Sequence, residues 1–196
     1  MTARFWLWTL TMMACLGIGA AWADQREVRV LGQDLPLPGT SLEDIRVMKL
    51  AKGQRLVCES DTDKPRLARP GLMEQQRGRT ADHLRRCSIF ADGGDNSWTQ
   101  ANIATAFGPA RLWLIFVEQG ANGRYRLAQF SLWSKRDNWD KAAGLLKSIL
   151  GEPATLAERY LGWQDEQHET QMFIDEKNPD EFAVAIGDQR LRKLMK

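Results

Sequence analysis

The sequence has little of the chemistry that most catalytic sites use. It contains two histidines and three cysteines in 196 residues. His83 and His168 both lie among charged or amide side chains, and we expect both to face solvent. No G-x-S-x-G, H-E-x-x-H, phosphate-binding glycine loop or dinucleotide motif occurs. These absences predict a protein that is not an enzyme and that binds no cofactor.

Catalysis by carboxylates is the alternative that these absences leave open. Acidic side chains concentrate near the end of the chain, at Asp165, Glu166, Glu169, Asp175 and Glu176. Paired carboxylates can hydrolyse glycosidic bonds, although such clusters are usually solvated turn residues. Two oxygen-rich turns, 61–63 and 92–96, lack the regular spacing of a calcium loop. We therefore predict no metal site and keep a hydrolase as a minor alternative.

Neither sign of charge is in excess, and long apolar runs are lacking after residue 23. The chain carries 27 basic and 25 acidic side chains. This near balance gives no strong attraction to nucleic acid, so we predict no nucleic-acid partner. No later apolar run is long enough to span a bilayer, so we predict no transmembrane segment beyond the leader.

An export leader is the first feature that the sequence does contain. Arg4 precedes an apolar run over residues 5–19, and Ala21-Trp22-Ala23 fits the small-x-small cleavage pattern. We therefore predict a cleavable signal peptide over residues 1–23. Residues 24–196 would then form a single soluble domain in the periplasm.

Cysteine usage agrees with export. Cys15 leaves with the leader, unless the protein is a lipoprotein acylated at that residue, and Cys58 and Cys87 remain. An even pair in an oxidising compartment most simply forms one disulfide, which we predict here. A redox or metal pair is the alternative, but there is no C-x-x-C motif.

The N-terminal half reads as short strands around a long loop. Residues 41–44 resemble a capping box that begins one helical turn, whereas the alternation that follows favours a strand over 45–50. With a second strand over 55–60 this predicts a hairpin, which the disulfide would tie to a strand at 86–91. Residues 61–82 are rich in proline and glycine and predict a long irregular loop.

That 61–82 loop is locally basic. Arg66, Arg69, Arg77 and Arg79 indicate a possible contact with an anionic partner, against the alternative of a solvated loop. No aromatic residue interleaves with these arginines, which weakens a single-stranded nucleic-acid interpretation. Because a disulfide can pre-organise a loop for binding, a secreted enzyme inhibitor that acts through this loop is the main alternative function.

The stretch 111–153 is the best-defined part of the chain. Leu112–Val117 is uninterruptedly apolar, as a covered strand would be, and residues 126–133 return as its partner. An amphipathic helix follows at about 138–150, and Gly151 ends it. We expect Asp137 or Asn138 to cap this helix and Gly144 to pack closely against a sheet. One helix can cover only one face of the first strand, so the N-terminal hairpin or a partner must cover the other.

Beyond this helix the pattern returns to strands. Residues 160–163, 170–175 and 181–187 are strand candidates, with 177–180 as the last turn, and a short helix from Asp188 would bury Leu191 and Leu194. Short connections favour antiparallel pairing. The predicted class is therefore α+β: an antiparallel β-sheet packed against one main helix (about 138–150), with a disulfide-tied N-terminal β-hairpin region.

One passage of the C-terminal half is similar to a known family. Leu145–Trp163 runs from the helix through Leu-Gly-Glu-Pro into an aromatic strand and resembles the SmpA/OmlA type of small outer-membrane assembly modules. The resemblance covers about a tenth of the chain, which lacks that family's lipoprotein start. It implies an envelope setting, and the chain as a whole is not assigned to the family.

Three tryptophans near element ends complete the candidate surface residues. Trp98, Trp133 and Trp163 could stack on a sugar or anchor a partner protein. The predicted function is thus a non-enzymatic periplasmic binding or envelope-accessory module. Its predicted partner is an envelope or periplasmic protein.

Overall fold

A computed structural model describes residues 31–32, 35–74, 83–95, 97–120 and 123–195. The strands are β1 (Gln54–Cys58), β2 (Leu84–Asp92), β3 (Trp98–Gln100), β4 (Asn102–Thr105), β5 (Gly108–Gln119), β6 (Arg124–Lys135), β7 (Thr155–Ala157), β8 (Tyr160–Gln164), β9 (His168–Asp175) and β10 (Asn178–Asp188). The helices are α1 (Leu42–Arg46), α2 (Trp139–Leu150) and α3 (Gln189–Arg192), with 3-10 turns at Arg136–Asn138 and Lys193–Met195. The predicted signal peptide, residues 1–23, lies outside the described residues.

These strands form one antiparallel sheet of ten strands. Its order is β1-β2-β5-β6-β10-β9-β8-β7, with β3 paired to β2 and β4 paired to β5. The predicted hairpin of residues 112–117 with 126–133 is confirmed as β5 and β6, where Leu114 faces Phe130. These two strands lie inside the sheet because their apolar residues need cover on both faces.

Helix α2 packs on one face of the sheet, which we call the core face. Phe182 of β10 is fully buried there, and its ring centroid lies 5.8 Å from that of Phe107 and 5.6 Å from that of Trp139. Ala142 and Leu146 are the buried residues of the helix itself. The predicted α+β class and its main helix are therefore confirmed.

The ends and surface of α2 differ in detail from the prediction. Asn138 makes no capping bond, because its amide donates to the Ser134 hydroxyl at 3.0 Å and a 3-10 turn precedes the helix. Asp137 does not cap it either. Gly151 does take a positive φ of 79° at the C-terminus. Gly144 is exposed with open space around the position of a Cβ, so its expected close packing is wrong.

The opposite face, which we call the outer face, is covered in two places by other parts of the same chain. Met73, 2% exposed, belongs to a cluster over β1, β2 and β5. Its other members are Val57, Leu67, Leu72, Phe90, Trp98 and Trp113. At the other end Leu191 of α3 packs against Val117. The second face of 112–117 is thus covered by the irregular segment 61–74 and the C-terminal helix, and the expected hairpin does not provide that cover.

The N-terminal region corrects one prediction and confirms two. Helix α1 is capped by Ser41, whose hydroxyl accepts from the Asp44 amide at 3.1 Å, so the helical turn is confirmed. The strand over 45–50 is wrong, because Leu42 and Ile45 lie on one helical face and are buried there. Strand β1 therefore pairs with β2, and the Cys58–Cys87 disulfide joins directly opposite residues.

The C-terminal strands are confirmed as β8, β9 and β10, although β10 already begins within the predicted turn at 177–180. Asp188 caps α3 by accepting from the amides of Arg190 and Leu191 at 2.7 and 3.0 Å. Leu191 is buried as predicted, whereas Leu194 is 53% exposed and Met195 contacts the core instead. Within the described ranges no helix is both long and apolar enough to cross a membrane.

Candidate functional site

A cavity of about 600 Å³ lies between the core face and the N-terminal segment 35–51. We call it the N-terminal cavity. Leu112 and Leu114 of β5 lie at its base and, at 3% and 1% exposed, present little surface to it. Apolar side chains from β1, β2, β4 and the N-terminal segment form its walls: Leu35, Ile45, Met48, Leu56, Ile89 and Ile103. The site is therefore a concave, largely apolar space between one face of the sheet and the segment that covers it.

The fold leaves this space open because α2 covers only part of the core face. The remaining part is covered by segment 35–51, in which the single short helix α1 follows Pro36, Pro38 and Gly39. Proline and glycine prevent a second long helix from lying across the sheet. Backbone hydrogen bonds hold the segment in place, since the Gly39 amide donates to the Leu127 carbonyl at 2.7 Å. An irregular cover leaves a cavity where a helix would fill the volume.

Three polar side chains in the part of the chain that the structure describes line the cavity, and the exposed one among them, Lys49, marks its mouth. Lys49 carries the sole charged side chain among the described lining residues, and it is exposed. Gln54, at the start of β1, is a second polar lining residue. The Thr105 hydroxyl is already satisfied, because it donates to the Gly108 carbonyl at 2.5 Å. The cavity therefore combines an apolar interior with a cationic mouth.

The predicted loop 61–82 does not line this cavity in its described part. Residues 66–73 lie on the outer face, where Leu67 forms a β-bridge with Trp98. Arg66 and Arg69 are exposed on that segment. Arg77 and Arg79 lie outside the described residues. The arginines that can be located are thus on the opposite side of the sheet from the cavity, and partner binding through them stays a prediction.

The three candidate tryptophans have different surroundings. Trp163 is 6% exposed, and its indole donates to the Gly151 carbonyl at 2.9 Å, so its expected surface position is wrong. It is buried because β8 packs beside the end of α2. Trp98 is half-buried in the Met73 cluster. Trp133 is half-buried on the outer face, with its ring 5.9 Å edge-on to Phe173.

The histidines do not assemble a catalytic group in the described structure. His83 is 68% exposed as predicted, and its Nδ1 lies 2.9 Å from the Glu118 carboxylate. The side chain of His168 is only 11% exposed, so its expected solvent-facing position is wrong. His168 is the first residue of β9, where it pairs with Asp188 of β10. Of the residues described, no group of three or more His, Cys, Asp or Glu side chains could hold a metal ion.

Two of the late carboxylates, Asp165 and Asp175, stabilise turns. Asp165 accepts from the amides of Gln167 and His168 at 2.7 and 2.6 Å. Asp175 accepts from the Lys177 amide at 3.0 Å. These bonds organise the two turns beside β9. The arrangement is that of turn-stabilising residues.

Among the described residues one carboxyl, that of Asp63, and one phenol, that of Tyr160, have shifted pKa values, and neither lines the cavity. A hydrogen bond from Arg55, together with its positive charge, lowers the pKa of Asp63 below its ordinary value of 3.8. Partial burial, followed by the charge of Glu169, raises the pKa of Tyr160 above its ordinary value of 10.0. Both shifts have local structural causes and place no acid or base at the cavity.

Sequence reasoning missed the residues of this cavity. Its walls come from segments far apart in the chain, such as 35–51 and 103–114, and no local pattern predicts their meeting. One signal was available at the mouth. Between Asp44 and Glu59 the chain has Arg46, Lys49, Lys52 and Arg55 but no acidic residue. That run indicates a cationic surface, although it does not indicate a cavity.

Comparison with known proteins gives no match. No family model, no curated protein and no solved structure matches this chain. None of these comparisons supports the predicted resemblance of residues 145–163 to SmpA/OmlA modules.

Proposed function

We propose that the protein is an exported, non-enzymatic periplasmic module that binds a small apolar molecule in the N-terminal cavity. The observation that carries the proposal is the cavity itself. Its volume of about 600 Å³ falls within the range of about 300–1,000 Å³ for pockets that bury a small-molecule ligand. Each ligand methylene that is buried there contributes about 0.8 kcal/mol to binding. Apolar burial alone can therefore supply the affinity.

The lining supports binding over catalysis. Among its described residues there is no histidine, cysteine or carboxylate, which are the groups that most often transfer protons or attack substrates. The half-buried walls Leu56 and Ile103 can exclude water from a ligand, but they cannot activate it. The inhibitor alternative gains no specific support, since the described part of the 61–82 loop packs on the sheet. The hydrolase alternative gains none either, since Asp165 and Asp175 accept hydrogen bonds within turns.

The envelope-accessory role that the sequence predicts uses a different surface. Arg66 and Arg69 are exposed on the outer face and Trp133 is half-buried there. A protein partner on that face and a small molecule in the cavity are compatible, because the two surfaces lie on opposite sides of the sheet.

Export is supported by the leader pattern and by the disulfide. A Cys58–Cys87 bond persists more readily in an oxidising compartment than in the cytosol. We expect intact-mass measurement of a periplasmic fraction to give a chain that begins at Asp24 and contains the disulfide. Recovery of the full chain from Met1 in the cytosol, with reduced thiols, would contradict export.

The cavity is tested with N-phenylnaphthylamine, a dye that becomes fluorescent in apolar surroundings. We expect saturable binding to the native protein with one site. Ile103 is a half-buried wall residue on β4, and Ile103→Trp would fill the space that the dye needs. We expect this variant to weaken dye binding at least about tenfold, the loss that corresponds to about 1.4 kcal/mol.

Ile115→Trp is the matched control. Ile115 is also a half-buried strand residue, but it lies on β5 outside the cavity lining. We expect its dye affinity to stay within about twofold of the native protein. Absence of saturable dye binding, or equal weakening by the two substitutions, would show that the cavity is not a binding site.

A further inference from the structure

The charges around the mouth of the N-terminal cavity are not evenly neutralised. Residues 45–58 include four basic side chains and no acidic one. Arg46 forms an ion pair with Asp61 at 2.5 Å, and Arg55 forms one with Asp63. Two of the four cations are thus neutralised by segment 61–63, which lies beside β1.

Lys49 and Lys52 are the other two cations of this run. Neither has an ion-pair partner in the described ranges, and both are exposed. Lys49 lines the cavity, and Lys52 lies in the turn between the lining residues Ala51 and Gln54. Two unpaired ammonium groups beside one opening attract an anion and repel a cation.

The acidic residues that precede this run, Glu43 and Asp44, are both among the residues described, and neither forms an ion pair with either lysine. Asp44 is exposed on α1 and does not line the cavity, and its carboxylate accepts from the Ser41 hydroxyl at 2.6 Å. Glu43 is exposed on α1 and does not line the cavity. A ligand that enters the apolar interior therefore leaves its outer end beside two lysines that have no ion-pair partner in the described structure.

We infer that the cavity takes a single-chain anionic amphiphile, with its apolar chain against the half-buried Met48 and Leu56 and its anionic head at Lys49. This inference rests on the proposed function. One cavity of about 600 Å³ with one lysine at its mouth accommodates one chain and one head group. A charge-assisted hydrogen bond from the Lys49 ammonium to a carboxylate is stronger than one to a neutral head group, so an anionic head is favoured at this position.

The test displaces N-phenylnaphthylamine with three compounds of equal chain length and different heads, each below its micelle concentration. These are dodecanoate, dodecanol and dodecyltrimethylammonium. We expect native protein to bind dodecanoate about five- to tenfold more tightly than dodecanol, and the ammonium compound most weakly. Lys49→Glu should abolish the preference for dodecanoate, and Lys49→Gln should bring the acid and the alcohol within about twofold.

Lys141→Glu is the control, because Lys141 is an exposed lysine on α2 and does not line the cavity. It makes the same change in net charge, and we expect it to leave the order of the three compounds unchanged. Equal displacement by all three compounds, or a preference that survives Lys49→Glu, would overturn the inference while leaving the apolar binding function intact. If the dye itself does not bind, both the function and the inference fail.

Discussion

Phe182→Ala is expected to destabilise the protein by about 3–5 kcal/mol, the usual cost of removing a fully buried phenylalanine. Phe182 has no exposed surface and joins the sheet to the main helix. Its ring lies 5.8 Å from that of Phe107 and 5.6 Å from that of Trp139 of α2. Truncation therefore removes the contacts with both Phe107 and Trp139. It also leaves a void that the closely packed sheet cannot fill by moving. Urea unfolding at equilibrium measures the change.

Phe173→Ala is the matched control. Phe173 lies on β9, next to β10, but it is half-buried on the outer face and contacts Trp133. We expect it to cost about half as much, because less of its area is removed from water in the folded state. Phe182→Leu should cost less than Phe182→Ala, since it keeps most of the volume. An equal cost for both alanine substitutions would contradict the role of Phe182 as the contact between helix and sheet.

Reduction of the Cys58–Cys87 disulfide is expected to lower the free energy of unfolding by about 3–4 kcal/mol. The bond closes a loop with a sequence separation of 29, and the chain-entropy model gives this value for a loop of that size. The two cysteines face each other across β1 and β2, so the folded strands can stay paired after reduction. The loss would then arise chiefly from the greater freedom of the unfolded chain. Urea unfolding with and without reductant measures it.

The double substitution Cys58→Ala with Cys87→Ala is the control for reductant effects. Its stability should be low and should not change when reductant is added. It should also fall somewhat below that of the reduced native protein, because both cysteines are fully buried and alanine leaves a small void. A stability difference of less than about 1 kcal/mol on reduction would contradict the chain-entropy account.

Local patterns were sufficient to predict much of the C-terminal half. The β5–β6 hairpin and helix α2 each follow from periodicity and turn residues within a short window, and both are confirmed. The Cys58–Cys87 bond follows from the number of cysteines, because removal of the predicted leader would take away Cys15 and leave one pair. Neither inference needed any knowledge of which elements touch.

Predictions failed where distant contacts outweigh a local pattern. The alternation over 45–50 favoured a strand, but burial of Leu42 and Ile45 against the sheet stabilises helix α1 there. Trp163 lies near a strand end, yet the Gly151 carbonyl and the end of α2 enclose it. In both cases the deciding partner lies outside the window from which the prediction was made.

The sequence alone determined the secondary structure around residues 111–153, the pairing of two cysteines and the absence of common catalytic motifs. Those features depend on neighbouring residues and on composition. Only the tertiary structure decided which segments cover each face of the sheet and where a cavity remains. The cavity exists because β4 and β5 meet an irregular segment some 60 residues earlier in the chain, a contact between distant segments that hydrophobic periodicity does not encode.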